Sequence, residues 1–342
     1  MESNDSEERL HKVFNRLTWQ LLEVTENAAI AAARAAGQGD KELADQAAVD
    51  AMRTTLNNIE GFSTNIKIGE GERDDAPMLF IGEKLGSGEM LIDIAVDPLE
   101  NTNATANLNS GAVCVLAAST SGGLVEASDT YMDKLCVGKE AAGVVDIRKT
   151  PEENIRNLAK ALHRDDPTEL TITILDRPRN MELIRQVHLT GARVRLITDG
   201  DLMPCIFTCF KGVGVHAVMG IGAAPEGVIS AAAIKLLGGG MQAVFKPKNN
   251  ADRDRLINMG IELDKVYTQD DLAPGKNLIF CATAVTPITT TTRAVLEGVS
   301  FFAGGAKTNS LVVSNYFMNF VPTTHVLDKK IFTDRKSEFR LW

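Results

Sequence analysis

No Cys-x-x-Cys pair occurs among the five cysteines of this 342-residue chain (Cys114, Cys136, Cys205, Cys209 and Cys281). An odd, scattered set argues against a disulfide framework and fits reduced thiols. The five histidines show no mutual metal spacing, so a zinc site is not expected. Positive charge is in short supply: 36 Lys and Arg against 45 Asp and Glu leave a net charge of −9, which argues against a nucleic-acid partner. An anionic small molecule stays open, because a local cluster of Arg and Lys outweighs the global charge at short range. No apolar run reaches the ~18 residues of a membrane span. The acidic opening, MESNDSEERL, is unlike a secretory signal or transit peptide. A cytoplasmic protein with no membrane contact is the expectation.

What is present is an alternation of elements. Leu10, Val13, Phe14, Leu17, Leu21 and Val24 recur at spacings of three and four, which predicts an amphipathic helix that breaks at Gly37 and Gly39. A second helix is expected over 41–58. In the middle of the chain, strands are expected at 170–175, 193–198 and 215–219, with helices at 180–190, 201–211 and 226–237. This strand–helix spacing implies a parallel, layered α/β arrangement. KPKNNADRDR, residues 246–255, reads as an exposed loop.

Open α/β sheets bind ligands beyond the carboxyl ends of their strands. Polar clusters fall at those ends: GEGE after Ile68, DPLENT after Val96, DRPR after Leu175, DGD after Thr198, and APEG after GIG. The acids Asp45, Glu70, Glu72, Asp97, Glu100, Asp199, Asp201 and Glu226, with few His or Cys about them, suit hard cations such as Mg²⁺ or Mn²⁺. Singly, such acids cap helices and close turns about as often. Arg177 and Arg179, on a loop stiffened by Pro178, have the chemistry to grip a phosphate; a solvated charge pair is the plainer alternative. Lys41 and Asp45, four apart on a helix, read as a surface ion pair. GGAKT at 304–308 lacks the Gly-Lys-Ser/Thr of a P-loop. In GIGAAPEG, Pro225 holds the place of a dinucleotide fingerprint's third glycine.

In order, GQGDKELAD, IGEGERDDAPMLFIGE, DIAVDPLENT, DTYMDKL, ILDRPR, DGD and GIGAAPEGVISAAA resemble the motifs of the class II fructose-1,6-bisphosphatases. These are metal-dependent, lithium-sensitive phosphatases, and the nearest type is the cyanobacterial fructose-1,6-/sedoheptulose-1,7-bisphosphatase. The resemblance spans residues 10–342 as one module, with approximate lobes at 10–165, metal-binding, and 166–342, substrate-binding. It implies a layered α/β/α/β/α sandwich of the sugar-phosphatase type. It implies hydrolysis of the 1-phosphate of fructose 1,6-bisphosphate by two or more Mn²⁺ or Mg²⁺ ions, in a homodimer or homotetramer. Asp45, Glu70, Asp97, Glu100 and Glu226 would be metal ligands, and Thr102, Lys41 and Glu70 would be catalytic. Glu100, Asn101, Thr102, Tyr131, Arg177, Pro178, Arg179, Asp199, Gly200, Asp201 and Ala223 would line the substrate site.

The family's Asp-Pro-Ile/Leu-Asp/Glu-Gly-Thr/Ser turn carries Gly where this chain has Asn101, and Ala223 replaces another glycine. Asn tolerates the left-handed backbone region, but its side chain would crowd a phosphate. Lower phosphate affinity or rate than with glycine restored is expected. A sedoheptulose-1,7- or dual-specificity bisphosphatase is the alternative enzyme, and a catalytically impaired sugar-phosphate binder the alternative outside catalysis.

Overall fold

A computed structural model describes residues 2–69 and 78–330. Helices α1 (Glu2–Ala35) and α2 (Lys41–Asn57) pack together ahead of strands β1 (Phe62–Ile68), β2 (Lys84–Gly86) and β3 (Met90–Glu100). Then come α3 (Thr102–Ala106), β4 (Val113–Thr120), β5 (Tyr131–Val137), α4 (Pro151–Ala161) and β6 (Thr171–Leu175). They are followed by α5 (Met181–Leu189), β7 (Arg193–Ile197), α6 (Leu202–Phe207), β8 (Ala217–Ala223), α7 (Ala224–Leu237) and β9 (Gly240–Lys246). The chain ends with α8 (Asn250–Asn258), β10 (Tyr267–Thr268), α9 (Gln269–Leu272), β11 (Leu278–Ala284), β12 (Ile288–Thr289), β13 (Ala294–Leu296), β14 (Ser300–Phe302), β15 (Gly305–Ser314) and β16 (Met318–Val326).

Two large sheets result. The first runs β14-β15-β11-β4-β3-β1-β2 with β16 on β15, and the second runs β10-β9-β5-β8-β6-β7. Strands from both ends of the chain build the first sheet, so a division at residue 165 does not separate the two sheets. Helix α7 lies between them, touching β3, β4, β11 and β15 on one side and β5, β8 and β9 on the other. Its first ten residues are almost wholly apolar and mostly buried, as a helix sandwiched on both faces must be. The outer face of the first sheet carries α1 and α2; that of the second carries α4 and α5. The expected α/β/α/β/α layering is thus present.

Side-chain alternation assigns β3 and β4 to two cores. Ile92, Ile94, Val96, Cys114, Leu116 and Ala118 face α1 and α2, whereas Ala95, Val113, Val115 and Ala117 face α7. Burial on both faces explains why these strands read as continuous apolar runs.

Four local expectations need correction. The sheets are mixed, because β6 pairs in parallel with β7 and β8 but β5 pairs antiparallel with β8 and β9. Strand β8 runs on through the glycine-rich GIGA instead of stopping at 219, since pairing with β5 holds every residue from 217 to 223. Helix α6 stops at Phe207, short of 211. KPKNNADRDR closes β9 and opens α8, whose N-cap Asn249 accepts the N–H of Asp252; only Leu256 of this helix is buried, so it carries no apolar stripe.

Candidate active site

Strand β3 continues past the point where its apolar run stops. Asp97 pairs with Val115 and Glu100 with Val113, so three steps on β3 face two on β4. Pro98 lies inside this bulge, where a residue without an N–H is tolerated. The strand therefore delivers Glu100 inward, 6% exposed, with Oε1 accepting the N–H of Leu202 at 3.2 Å. Its Oε2 is buried and has no hydrogen-bond partner among the described residues.

Asn101 then turns the chain at φ 66° and ψ 57°, the left-handed conformation expected of it. Its Oδ1 accepts the N–H of Ala104 at 3.2 Å, and its Nδ2 lies 3.5 Å from the carbonyl oxygen of Gly111. Gly200 is as close: a methyl group built there would lie 3.5 Å from Asn101 Nδ2. Asn101 thereby brings the Asp199–Gly200–Asp201 turn against the end of β3. Half-buried Thr102 opens α3.

Lys134, on β5, is the charged partner that sequence reading passed over. Its side chain is 0% exposed, with Nζ 2.6 Å from Asp201 Oδ2, and it donates to the carbonyl oxygen of Ala223 at 3.2 Å. Burial alone would lower the lysine's proton affinity; the Asp201 carboxylate and its neighbours outweigh this and raise it. Glu100 is pushed well above the ordinary carboxylate range by burial, then by the charges of Glu226 and Asp201. Burial also raises Glu226, against the pull of Lys134 and with the push of Asp201. Its Oε2 is likewise buried without a partner. The signal in the sequence was a lysine inside the apolar run MDKLCV, a cost no soluble strand carries without a counter-charge.

Asp45 and Asp97 both act on buried Cys114, whose thiol is raised well above its ordinary value by burial and then by these two acids. A second, basic group borders the carboxylates. Arg177 lies 3.7 Å from Asp199, and Arg179 donates from Nε to the Ile221 carbonyl at 2.9 Å. The Arg179 guanidinium stands 4.4 Å from the Tyr131 ring centre, and Lys248, also unanticipated, 4.8 Å from it. Pro178 starts a single 3-10 turn that ends at Asn180. Asn180 is buried and fastens this turn to β8, donating to Leu175 and Ile221 carbonyls and accepting the Ile221 N–H. Ala223 is the N-cap residue of α7. Lys41 is exposed at the start of α2, four residues before Asp45 on the same helix. Glu70 and Glu72 lie outside the described residues.

Glu100, Asn101, Asp199, Gly200, Asp201 and Glu226 are thus brought together, with Tyr131, Arg177, Pro178 and Arg179 beside them; Asp45 and Asp97 converge at Cys114. Among the described residues no three His, Cys, Asp or Glu side chains form a ready metal-binding group. The two orphaned oxygens, Glu100 Oε2 and Glu226 Oε2, nevertheless fit a hard cation, which satisfies buried carboxylates that hydrogen bonds leave unmet.

Comparison with known proteins gives the family. Residues 15–325 match the family described as bacterial fructose-1,6-bisphosphatase, glpX-encoded. The chain is 45% identical to the D-fructose 1,6-bisphosphatase class 2/sedoheptulose 1,7-bisphosphatase of Crocosphaera subtropica, over 93% of this chain and 98% of that protein. The proteins of the same name from Synechococcus elongatus and a Synechocystis species are each 45% identical, over 90% of this chain and 96% and 95% of theirs. With a match of this extent and a layered fold to go with it, the chain belongs to the glpX-encoded bacterial fructose-1,6-bisphosphatase family.

Proposed function

We infer that this chain is a phosphoric monoester hydrolase that converts fructose 1,6-bisphosphate to fructose 6-phosphate and phosphate, with a divalent cation at the end of β3. The observation that carries the reading is the pair of carboxylates, Glu100 and Glu226, each with a buried oxygen that has no hydrogen-bond partner among the described residues, beside the turn that presents Thr102. Asp45, Glu70, Asp97, Glu100 and Glu226 would hold Mn²⁺ or Mg²⁺. When bound, such ions neutralise phosphoryl charge and make water a better nucleophile. Thr102 would orient the attacking water, with Lys41 nearby, and Glu70 would assist in moving its proton. Arg177 and Arg179 would hold the distal phosphate and Tyr131 the sugar between them. Asp199, Gly200 and Asp201 would accept sugar hydroxyls beside Ala223. No helix among the described residues is long and apolar enough to cross a membrane, and a cytoplasmic location belongs to the same proposal.

Sedoheptulose 1,7-bisphosphate is a second substrate to test, because the three cyanobacterial relatives carry both activities in their names. The deciding assay is phosphate release from each bisphosphate with Mn²⁺, with Mg²⁺ and with chelator. Turnover that needs a metal and falls by about 10²-fold or more in Thr102→Ala is the expected result. A folded protein that releases no phosphate with either metal overturns the catalytic reading.

A further inference from the structure

Lys134 occupies the middle of the second sheet, where β5 is flanked by β8 and β9, and it pairs across to Gly220 and Ala243. A lysine in such a place must be given both room and a counter-charge. Gly222 leaves the room: a methyl group there would lie 2.2 Å from Asp201 Oδ2 and 2.8 Å from Lys134 Nζ, too close for normal packing.

The ammonium joins two helix starts. It pairs with Asp201, the N-cap residue of α6, and donates to the carbonyl of Ala223, the N-cap residue of α7. The first turn of α7 carries Glu226, and the first residue of α6, Leu202, donates its N–H to Glu100. One side chain on β5 therefore sets the positions of groups from β3, α6 and α7. The ion pair is made by Oδ2, one of the two oxygens of the Asp201 carboxylate.

We propose that Lys134 is the positioning residue of this site: it fixes the Asp201 carboxylate so that its second oxygen meets a sugar hydroxyl, and it touches no substrate itself. The proposal rests on the reading of Asp201 as a sugar-binding residue. If the lysine served stability alone, its replacement would lower the unfolding temperature and leave ligand selectivity unchanged.

The test measures binding without turnover, so that it stands even where hydrolysis fails. Fructose 6-phosphate and inorganic phosphate are titrated calorimetrically in Mg²⁺ buffer into the full-length protein and its variants. Lys134→Met strands a buried carboxylate, so Lys134→Gln, which keeps a donor, is its companion; melting curves set a temperature at which each variant used is folded. The expected result is that Lys134→Gln weakens fructose 6-phosphate at least about tenfold and changes inorganic phosphate less than about twofold. Combined with Asp201→Asn, it should lose no more than Asp201→Asn alone, because the two act as a unit. Equal weakening of both ligands, unchanged sugar-phosphate binding, or additive losses in the double variant overturns the proposal.

Discussion

Asn101 holds a left-handed backbone, at φ 66° and ψ 57°, while its own Oδ1 accepts the N–H of Ala104 at 3.2 Å. The Ala104 N–H is shared with the Asn101 backbone carbonyl at 2.9 Å, so the side chain adds bulk to the turn beside Thr102 more than it adds a needed bond. Asn101→Gly keeps the backbone conformation at no steric penalty and removes the side chain that would crowd a phosphate. The expected outcome is a rise of about three- to tenfold in kcat/KM for fructose 1,6-bisphosphate, about 1 kcal/mol in transition-state stabilisation. Steady-state kinetics of the two forms decide it, and unchanged constants would show that Asn101 leaves the phosphate alone.

Gly222 has no room for a side chain beside the Lys134–Asp201 ion pair. Gly222→Ala is expected to destabilise the fold by about 1–3 kcal/mol through overpacking and to weaken substrate binding at the same time. Thermal melts with parallel KM measurements check this; a variant with wild-type melting would mean that the pair moves aside freely.

Metal removal has a signature apart from activity. A cation that meets Glu100 Oε2 and Glu226 Oε2 binds the folded chain alone, so Mn²⁺ at a hundredfold excess over its Kd should stabilise the protein by about 2.7 kcal/mol. Chelator should reverse the rise in Tm, and Glu226→Gln should shrink it. A Tm indifferent to Mn²⁺ and chelator would count against these carboxylates as ligands.

Far from the site, Glu26 is buried in α1, accepting from Thr308 at 3.1 Å with His325 Nε2 at 3.9 Å. Burial lifts its carboxyl above the ordinary value of 4.5, against the hydrogen bonds of Thr323 and Thr308 and the nearby His325. The folded chain thus holds this proton more tightly than the unfolded one. The stability it contributes is fully present below the ordinary value and is lost as pH rises through the raised one. Glu26→Gln cannot ionise, so its Tm relative to wild type should climb as pH rises above the ordinary carboxyl value of 4.5. A difference independent of pH would refute the assignment.

Leu108 ends α3 at φ 54°, in the position where a helix prefers glycine, with its N–H on Thr105 and the next N–H on Ala104. Its side chain is 66% exposed and so gains little from burial. Leu108→Gly is expected to stabilise the protein by about 1 kcal/mol by relieving the left-handed strain. Chemical denaturation measures it, and a loss of stability would mean that the Leu108 contact with Gly37 outweighs the strain.

The sequence was most legible where structure is local. The three- and four-residue spacing of α1 and the alternation from β6 to β7 stand where they were expected, and Asp199 and Asp201 follow β7. Asn101 was anticipated in the left-handed region because few other side chains go there. KPKNNADRDR misled because α8 buries only Leu256, and a helix without an apolar stripe has no period to read. GIGA misled because glycines signal turns, whereas here β5 pairs with every residue of β8.

The sequence by itself determined which chemical groups the chain carries: many carboxylates, few imidazoles, two arginines flanking a proline, and a hydroxyl soon after an apolar run. Only the tertiary structure decided which charges share one environment. In the sequence Lys134 is one lysine among apolar neighbours; only the meeting of β5, α6 and α7 places it 2.6 Å from Asp201. Charge interactions fall with distance and strengthen with burial, and both are set by elements remote in the chain. A lysine's neighbours in sequence therefore do not reveal which carboxylate it holds.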